Sequence, residues 1–171
     1  MPREVEAPSP VTDILELVQL VELEDVIVRE ERGRRVFAEL DGAEIDKEGE
    51  VRSTNALGIS DLEAEDALGI AFRYRTVFND GHGSEFVADM EAHYRLLEPR
   101  SVSDEVKQEF ATRVAFMTVY PYLRSSIQGS ATRLGVKAPI LGMVRQGDMA
   151  ISGTLEESQV KEMFRDDEPE L

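Results

Sequence analysis

Two stretches, "ALGIAFRYRTVFN" (67–79) and "SEFVADMEAHYRLLE" (84–98), alternate between apolar and polar residues for longer than any other part of the chain. In the first, Leu68, Ile70, Phe72, Tyr74, Thr76 and Phe78 share one parity, and Arg73 and Arg75 take the other. In the second, Phe86, Ala88, Met90, Ala92, Tyr94 and Leu96 alternate with Glu85, Asp89, Glu91, His93 and Arg95. A period of two sustained this long predicts two half-buried antiparallel strands. The "NDGHGS" between them has the glycines and the Asp of a turn, so the pair reads as a hairpin. Centring the turn on His82 sets Arg75 opposite Asp89, Arg73 opposite Glu91 and Phe78 opposite Phe86. A slip of one residue would drive the charges into the core, so the register is firmly specified.

The charged parity of the hairpin reads as a solvated face. Its Arg–acid pairs are worth a few tenths of a kcal/mol each in that setting. An anion clamp at Arg73 and Arg75 is the catalytic alternative. A metal site around His93 is disfavoured because strand residues two apart are separated by about 6.5–7 Å and no second histidine converges on it. The other histidine, His82, sits in the glycine turn.

Elsewhere, Ile14, Leu17, Val18 and Val21 fall at helical spacing behind Thr12 or Asp13 as a cap, giving a short helix or an extended lead-in. "ELEDVIVREERG" reads as a strand whose apolar parity changes between Leu23 and Val26, the mark of a bulge near Asp25. "RRVFAEL" and "EVRSTNALGIS" are weaker strand candidates, joined by the polar "DGAEIDKEGE". "APILGMVR" is a short apolar strand candidate that Pro139 can only begin. Thr154 and Glu157 form a capping box for a short terminal helix. The organisation expected is a disordered N-terminus over 1–10, one domain over 11–150, and an acidic tail over 151–171.

With 35 acidic and 19 basic residues, the 171-residue chain has a formal net charge of −16. That excludes a phosphate-backbone binder, whose affinity comes from Lys and Arg. The absence of cysteine excludes disulfides, thiol catalysis and Cys-ligated zinc. The opening "MPREVEAPSPVTD" has acids and prolines where a signal peptide needs an apolar stretch, and no apolar run approaches a membrane span. The expectation is a cytoplasmic protein with no membrane insertion. Phosphate-binding loops, serine elbows and zinc-peptidase signatures are missing. No catalytic residue, metal or cofactor is therefore expected.

From Ser103, a cap for "DEVKQEF", one stripe runs through Val106, Phe110, Val114, Met117, Tyr120, Leu123, Ile127, Ala131 and Leu134, with Gly135 as the stop. Within it stands Tyr120-Pro121-Tyr122. Pro121 loses the bond from its own nitrogen to the Met117 carbonyl, which predicts a kink, or a break with restart at Pro121. Phe116, Val119 and Tyr122 lie off this stripe, so the helix is apolar on two sides. It requires a sheet and a second partner, unless it is a kinked core helix of a monomer.

Tyr120-Pro121-Tyr122-Leu123-Arg124, then Arg133-Leu134-Gly135, then Pro139-Ile140-Leu141 resembles the C-terminal half of the SecB-like chaperones. The likeness spans roughly residues 20–145, including the "LEDV" opening of the first strand, and is motif-grade over 116–141. It implies an α+β fold: a four-stranded antiparallel sheet with a long kinked C-terminal helix packed on one face. Subunits would form homodimers, or a homotetramer as a dimer of dimers. It also implies an ATP-independent holdase for unfolded or partly folded polypeptides. Export members deliver clients to SecA, and others serve a labile antitoxin of a toxin–antitoxin operon. Where export members carry a Pro-Val-Asn-Phe-like segment, this chain has Gly142-Met143-Val144-Arg145.

On that reading, Phe37, Leu40, Phe116, Tyr120, Tyr122, Ile140 and Met143 are the candidate client-binding residues. They would line a groove beside the helix and the crossover segment 33–50, where burial yields about 25 cal/mol per Å². Two alternatives stand beside it. One is a small α+β ligand-binding protein or enzyme with an apolar pocket inside a curved sheet, for which the inward parity offers two tyrosine hydroxyls. The other is an oligomeric adaptor without client promiscuity.

Overall fold

The computed structural model describes residues 9–36, 52–64, 67–142, 153 and 159. The hairpin organises them. Strand β3 (Ala67–Asn79) and strand β4 (Ser84–Leu96) pair with Arg75 opposite Asp89, Arg73 opposite Glu91 and Phe78 opposite Phe86, the register set by parity. The turn closes because Asp80 Oδ1 accepts hydrogen bonds from the backbone N–H of His82 at 2.7 Å and of Ser84 at 2.9 Å. Gly81 and Gly83 hold φ of 73° and 84°, a region that strains other residues.

Around the hairpin stand β1 (Val21–Arg35) against β4 and β2 (Arg52–Ala64) against β3, all antiparallel, in the order β1-β4-β3-β2. The register of β1 shifts between Leu23 and Asp25, where the parity change places a bulge, and again between Val28 and Glu30. The weaker strand reading of "EVRSTNALGIS" holds as β2. That of "RRVFAEL" holds through Arg35; Val36 follows outside the strand with its N–H on the Gly83 carbonyl, and residues 37–40 lie outside the described residues. Ahead of β1, α1 (Ile14–Leu20) is capped by Asp13, which accepts from the N–H of Leu15 and Glu16. It buries Leu17 and Leu20, while Val18 faces out.

The helical half begins as expected. Ser103 caps α2 (Asp104–Phe110) through the Val106 N–H. A change of helix type comes before Pro121. Residues Ala111–Ala115 form a π turn in which the Phe116 N–H bonds the Ala111 carbonyl, and α3 (Phe116–Leu134) then runs unbroken through Pro121. The extra residue in the π turn advances the buried face by one position. After Phe110 and Ala111 the buried apolar residues are Ala115, Val119, Leu123, Ile127 and Ala131. The stripe through Val114, Met117 and Tyr120 is therefore corrected. Val119, expected off the face, is fully buried, and Met117 is 38% exposed.

Gly135 ends α3 at φ 67°, with the Val136 N–H bonded to Ala131 O and the Gly135 N–H to Thr132 O, both at 3.1 Å. That double bond pattern satisfies the last carbonyls. The short strand expected from "APILGMVR" is not formed over Ala138–Gly142, and the rest of that segment lies outside the described residues. Pro139 has no N–H for a ladder, and the side chains of Val136, Ala138 and Leu141 pack back onto the core instead.

α3 runs over β4 and β1 and touches β3 only at its margin. Its approach to β1 is close: a Cβ on Gly33 would stand 2.9 Å from Ser130 Cβ. Gly33→Ala is therefore expected to cost about 1–3 kcal/mol by overpacking, measured as a drop in the urea midpoint. The core between sheet and helices is aromatic. Phe110 packs at 5.3 Å from Phe72 and 5.0 Å from Tyr94, centroid to centroid.

Candidate functional site

Two tyrosines supply the polar groups of the inner sheet face, and both serve the fold. The Tyr74 hydroxyl donates to the Ala111 carbonyl at 2.6 Å, the carbonyl that opens the π turn. The Tyr94 hydroxyl donates to Thr118 Oγ1 at 2.9 Å, and Thr118 in turn donates to the Val114 carbonyl. Both hydroxyls are engaged within the fold, so the pocket-enzyme alternative loses the two groups on which it rested.

Burial, reinforced by the neighbouring Tyr94, pushes the Tyr74 hydroxyl far above the ordinary tyrosine range. Burial likewise raises Tyr94, against the Thr118 hydrogen bond. A pKa raised in the folded state means that the unfolded chain ionises first. The stability is complete below the unfolded value of about 10 and falls as pH rises beyond it. The expected result is alkaline unfolding that begins near that pH and is shallower in Tyr74→Phe, followed by tyrosinate absorbance alongside circular dichroism.

The outer sheet face corrects the sequence reading. It is not a solvated surface over β4: Asp89 is 0% exposed, and Glu91 and Val87 are buried. Arg73 reaches diagonally to Asp89 with two hydrogen bonds of 2.9 Å instead of to Glu91 directly opposite. Arg75 bonds Asp89 at 3.1 Å and also Glu30 of β1. Glu91 is held by Arg29 at 2.9 and 3.2 Å and by His93. Burial alone would raise the Glu91 carboxyl, but the hydrogen bonds and charges of Arg29 and His93 outweigh it and hold the group below its usual value. Among the described residues, Asp89 and Glu91 already have their cations, so Arg73 and Arg75 are committed to an ion-pair lattice, which disfavours the anion clamp. No metal-ligand cluster occurs among the described residues.

The candidate client-binding residues divide into three groups. Phe37, Leu40 and Met143 lie outside the described residues. Phe116 and Tyr120 stand together, half-buried, with ring centroids 5.5 Å apart and Phe116 5.6 Å from Tyr74. The Tyr120 hydroxyl donates to the Gly142 carbonyl at 2.6 Å and so ties the segment after α3 to the helix. Tyr122, 51% exposed, and Ile140, 88% exposed, face outward. The structure adds two residues that were not singled out from sequence. Leu57 and Ile59 of β2 lie opposite Tyr74 and Phe72, on the helix side of the sheet, half-buried against the edge of the core. Their alternation within the uncharged "TNALGIS" was the available signal.

Fold and side chains together define a binding module: an antiparallel sheet backed by one long helix, with the tyrosine hydroxyls of the inner face and the acids of the outer face engaged internally, and apolar side chains left at the helix margin. Among the described residues no helix is long and apolar enough to cross a membrane. No family model matches the chain. SmegB, a SecB-like chaperone of Mycolicibacterium smegmatis, is 31% identical over 147 residues, covering 86% of this chain and 91% of that protein. Rv1957, a SecB-like chaperone of Mycobacterium tuberculosis solved in complex with a ChAD peptide from the Rv1956 HigA1 antitoxin, superposes with a TM-score of 0.61 at 12% identity. That match covers 77% of this chain and 92% of the other. The chain belongs to the SecB-like chaperone family, whose members are not enzymes.

Proposed function

We propose that this chaperone is an ATP-independent cytoplasmic holdase. It binds unfolded or partly folded polypeptides, with a labile antitoxin segment as the favoured kind of client. The observation that carries the reading is the set of apolar side chains left along α3 and the segment after it, with Phe116 and Tyr120 half-buried and Tyr122 and Ile140 exposed, in a chain otherwise heavily acidic. Apolar side chains there gain by covering exposed client residues. The net charge of −16 keeps such a surface soluble and draws in basic segments at low salt. The antitoxin preference is supported by the peptide carried by the Rv1957 structure.

Tyr122 and Ile140 give the clean test, because both side chains are exposed and their loss spares the core. The double variant Tyr122→Asp, Ile140→Asp is expected to bind an unfolded client peptide about tenfold more weakly. Oligomer size and circular dichroism should be unchanged. Undiminished binding by the folded double variant would contradict the placement of the site.

Self-association belongs to the same proposal. Leu15 and Val18 of α1 and Leu23 and Val28 of β1 are exposed apolar side chains on adjoining elements. Their burial against another copy gives a homodimer or a dimer of dimers. Light scattering at low micromolar concentration is expected to show it, and a 19.2 kDa monomer there would contradict it.

A further inference from the structure

A π turn is rare in a helix and marks a place where one extra residue has to be accommodated. Among the described residues, hydroxyls of three side chains bond carbonyls in and beside this one. Thr112 Oγ1 donates to Gln108 O at 3.2 Å and to Glu109 O at 3.1 Å, and Thr118 Oγ1 donates to Val114 O at 3.3 Å. Both are local, each running from a helix side chain to its own preceding turn. The third comes from the sheet. Tyr74 of β3 donates to Ala111 O at 2.6 Å, the carbonyl that accepts the Phe116 N–H across the π turn. A carbonyl oxygen has two lone pairs, so both donors fit it. In a continuous α-helix the backbone donor to that carbonyl would be Ala115 instead.

The turn decides which side chains α3 offers. With it, Ala115 and Val119 take the core, while Phe116 and Tyr120 stand half-buried at the margin, the Phe116 ring 5.6 Å from that of Tyr74. Without it, the stripe of Phe110, Val114, Met117 and Tyr120 would line up on the core, and Tyr120 would leave the margin. Apolar residues fill both stripes, so burial separates the two phases only weakly and one buried hydrogen bond is enough to choose between them.

From this geometry we infer that Tyr74 is a positioning residue of the client site: its buried hydroxyl holds the π turn, and the turn sets the phase in which α3 presents Phe116 and Tyr120. The inference rests on the holdase reading and names a residue on which that site depends. Tyr74 is 2% exposed, so it acts on a client only through the helix. Phe72 and Phe78, on the same face of β3, pack there without a hydroxyl, so packing alone does not ask for tyrosine.

The test compares Tyr74→Phe with Tyr94→Phe in the full chain. Tyr94→Phe also strips a hydroxyl from the inner sheet face, but its partner is Thr118 Oγ1, and Thr118 keeps its own bond to the Val114 carbonyl. The probe is a fluorescein-labelled synthetic peptide of Leu, Val, Thr and Lys with no fold of its own. Tyr74→Phe is expected to weaken its binding by about threefold to tenfold, and Tyr94→Phe by less than about twofold, with both variants folded by circular dichroism. The Phe116 amide should lose hydrogen-exchange protection in Tyr74→Phe only, because switching between two helical registers breaks its bond transiently. A third variant deletes Arg113, exposed within the turn, so that a regular α-helix joins α2 to α3 with both buried faces as they stand. In that background Tyr74→Phe is expected to leave binding within about twofold, a result that a purely structural tyrosine would not give.

Equal binding by the wild type and both tyrosine variants, or equal losses in the two variants, would overturn the positioning role and leave the holdase reading intact. An undiminished effect of Tyr74→Phe in the chain lacking Arg113 would do the same. If the deletion does not fold, the two tyrosine variants and the Phe116 amide decide the matter. No binding of the peptide by the wild-type chain would overturn both readings.

Discussion

Replacing Asp89 with alanine is expected to lower the free energy of unfolding by about 3–5 kcal/mol. The carboxylate is fully buried on the outer face of β4 and is the shared partner of Arg73 and Arg75, themselves largely covered. Removing it takes the shared anion from between two largely covered guanidinium groups, of which Arg75 keeps Glu30. The loss of charge compensation at buried positions, more than the lost attraction, sets the magnitude. The contrast is Glu85→Ala: Glu85 bonds Arg34 and Arg32, which are nearly half exposed, so its loss should cost at most about 1 kcal/mol. Urea unfolding with an unchanged m-value checks both. A cost below about 1 kcal/mol for Asp89→Ala would show that the arginines escape to water and that the lattice is not structural.

Phe110→Ala is expected to be comparably damaging, at about 3–5 kcal/mol. Phe110 closes α2 immediately before the π turn, is 1% exposed, and packs its ring against both Phe72 and Tyr94. The variant loses the transfer energy of the ring, the aromatic contacts and the fill of the site, because sheet and helix backbones cannot collapse onto it. Met117→Ala is the informative companion. In an uninterrupted α-helix from Phe110, Met117 would sit on the core face. With the π turn it is largely turned out and should cost less than about 1 kcal/mol. A large loss at Met117 would contradict the phase change.

The hairpin was legible because its information is local: side-chain parity fixes the face, and Asp80, Gly81 and Gly83 fix the turn. The bulge near Asp25 was legible for the same reason, since an inserted residue must switch parity. The π turn was not, because apolar spacings of three and four fit either helical phase when residues such as Val114, Ala115, Phe116 and Met117 are all apolar. The burial of Asp89 was hidden because it depends on Glu30, which is distant in sequence and reaches Arg75 from β1. "APILGMVR" looked like a strand because an apolar run packs equally well as an irregular segment.

Of the candidate site, Phe116, Tyr120, Tyr122 and Ile140 stand on α3 and the segment that Tyr120 ties to it. Leu57 and Ile59 became visible only once strand order made β2 an edge.

The most direct measurement of the central claim is suppression of client aggregation without nucleotide. Several unrelated unfolded clients are diluted from denaturant into buffer with the chaperone in molar excess, and light scattering is followed. The account predicts delayed and reduced aggregation of all of them, unaffected by added ATP. Failure to delay any of them, with the chaperone folded and a single antitoxin-like peptide as its sole ligand, would contradict general holdase function.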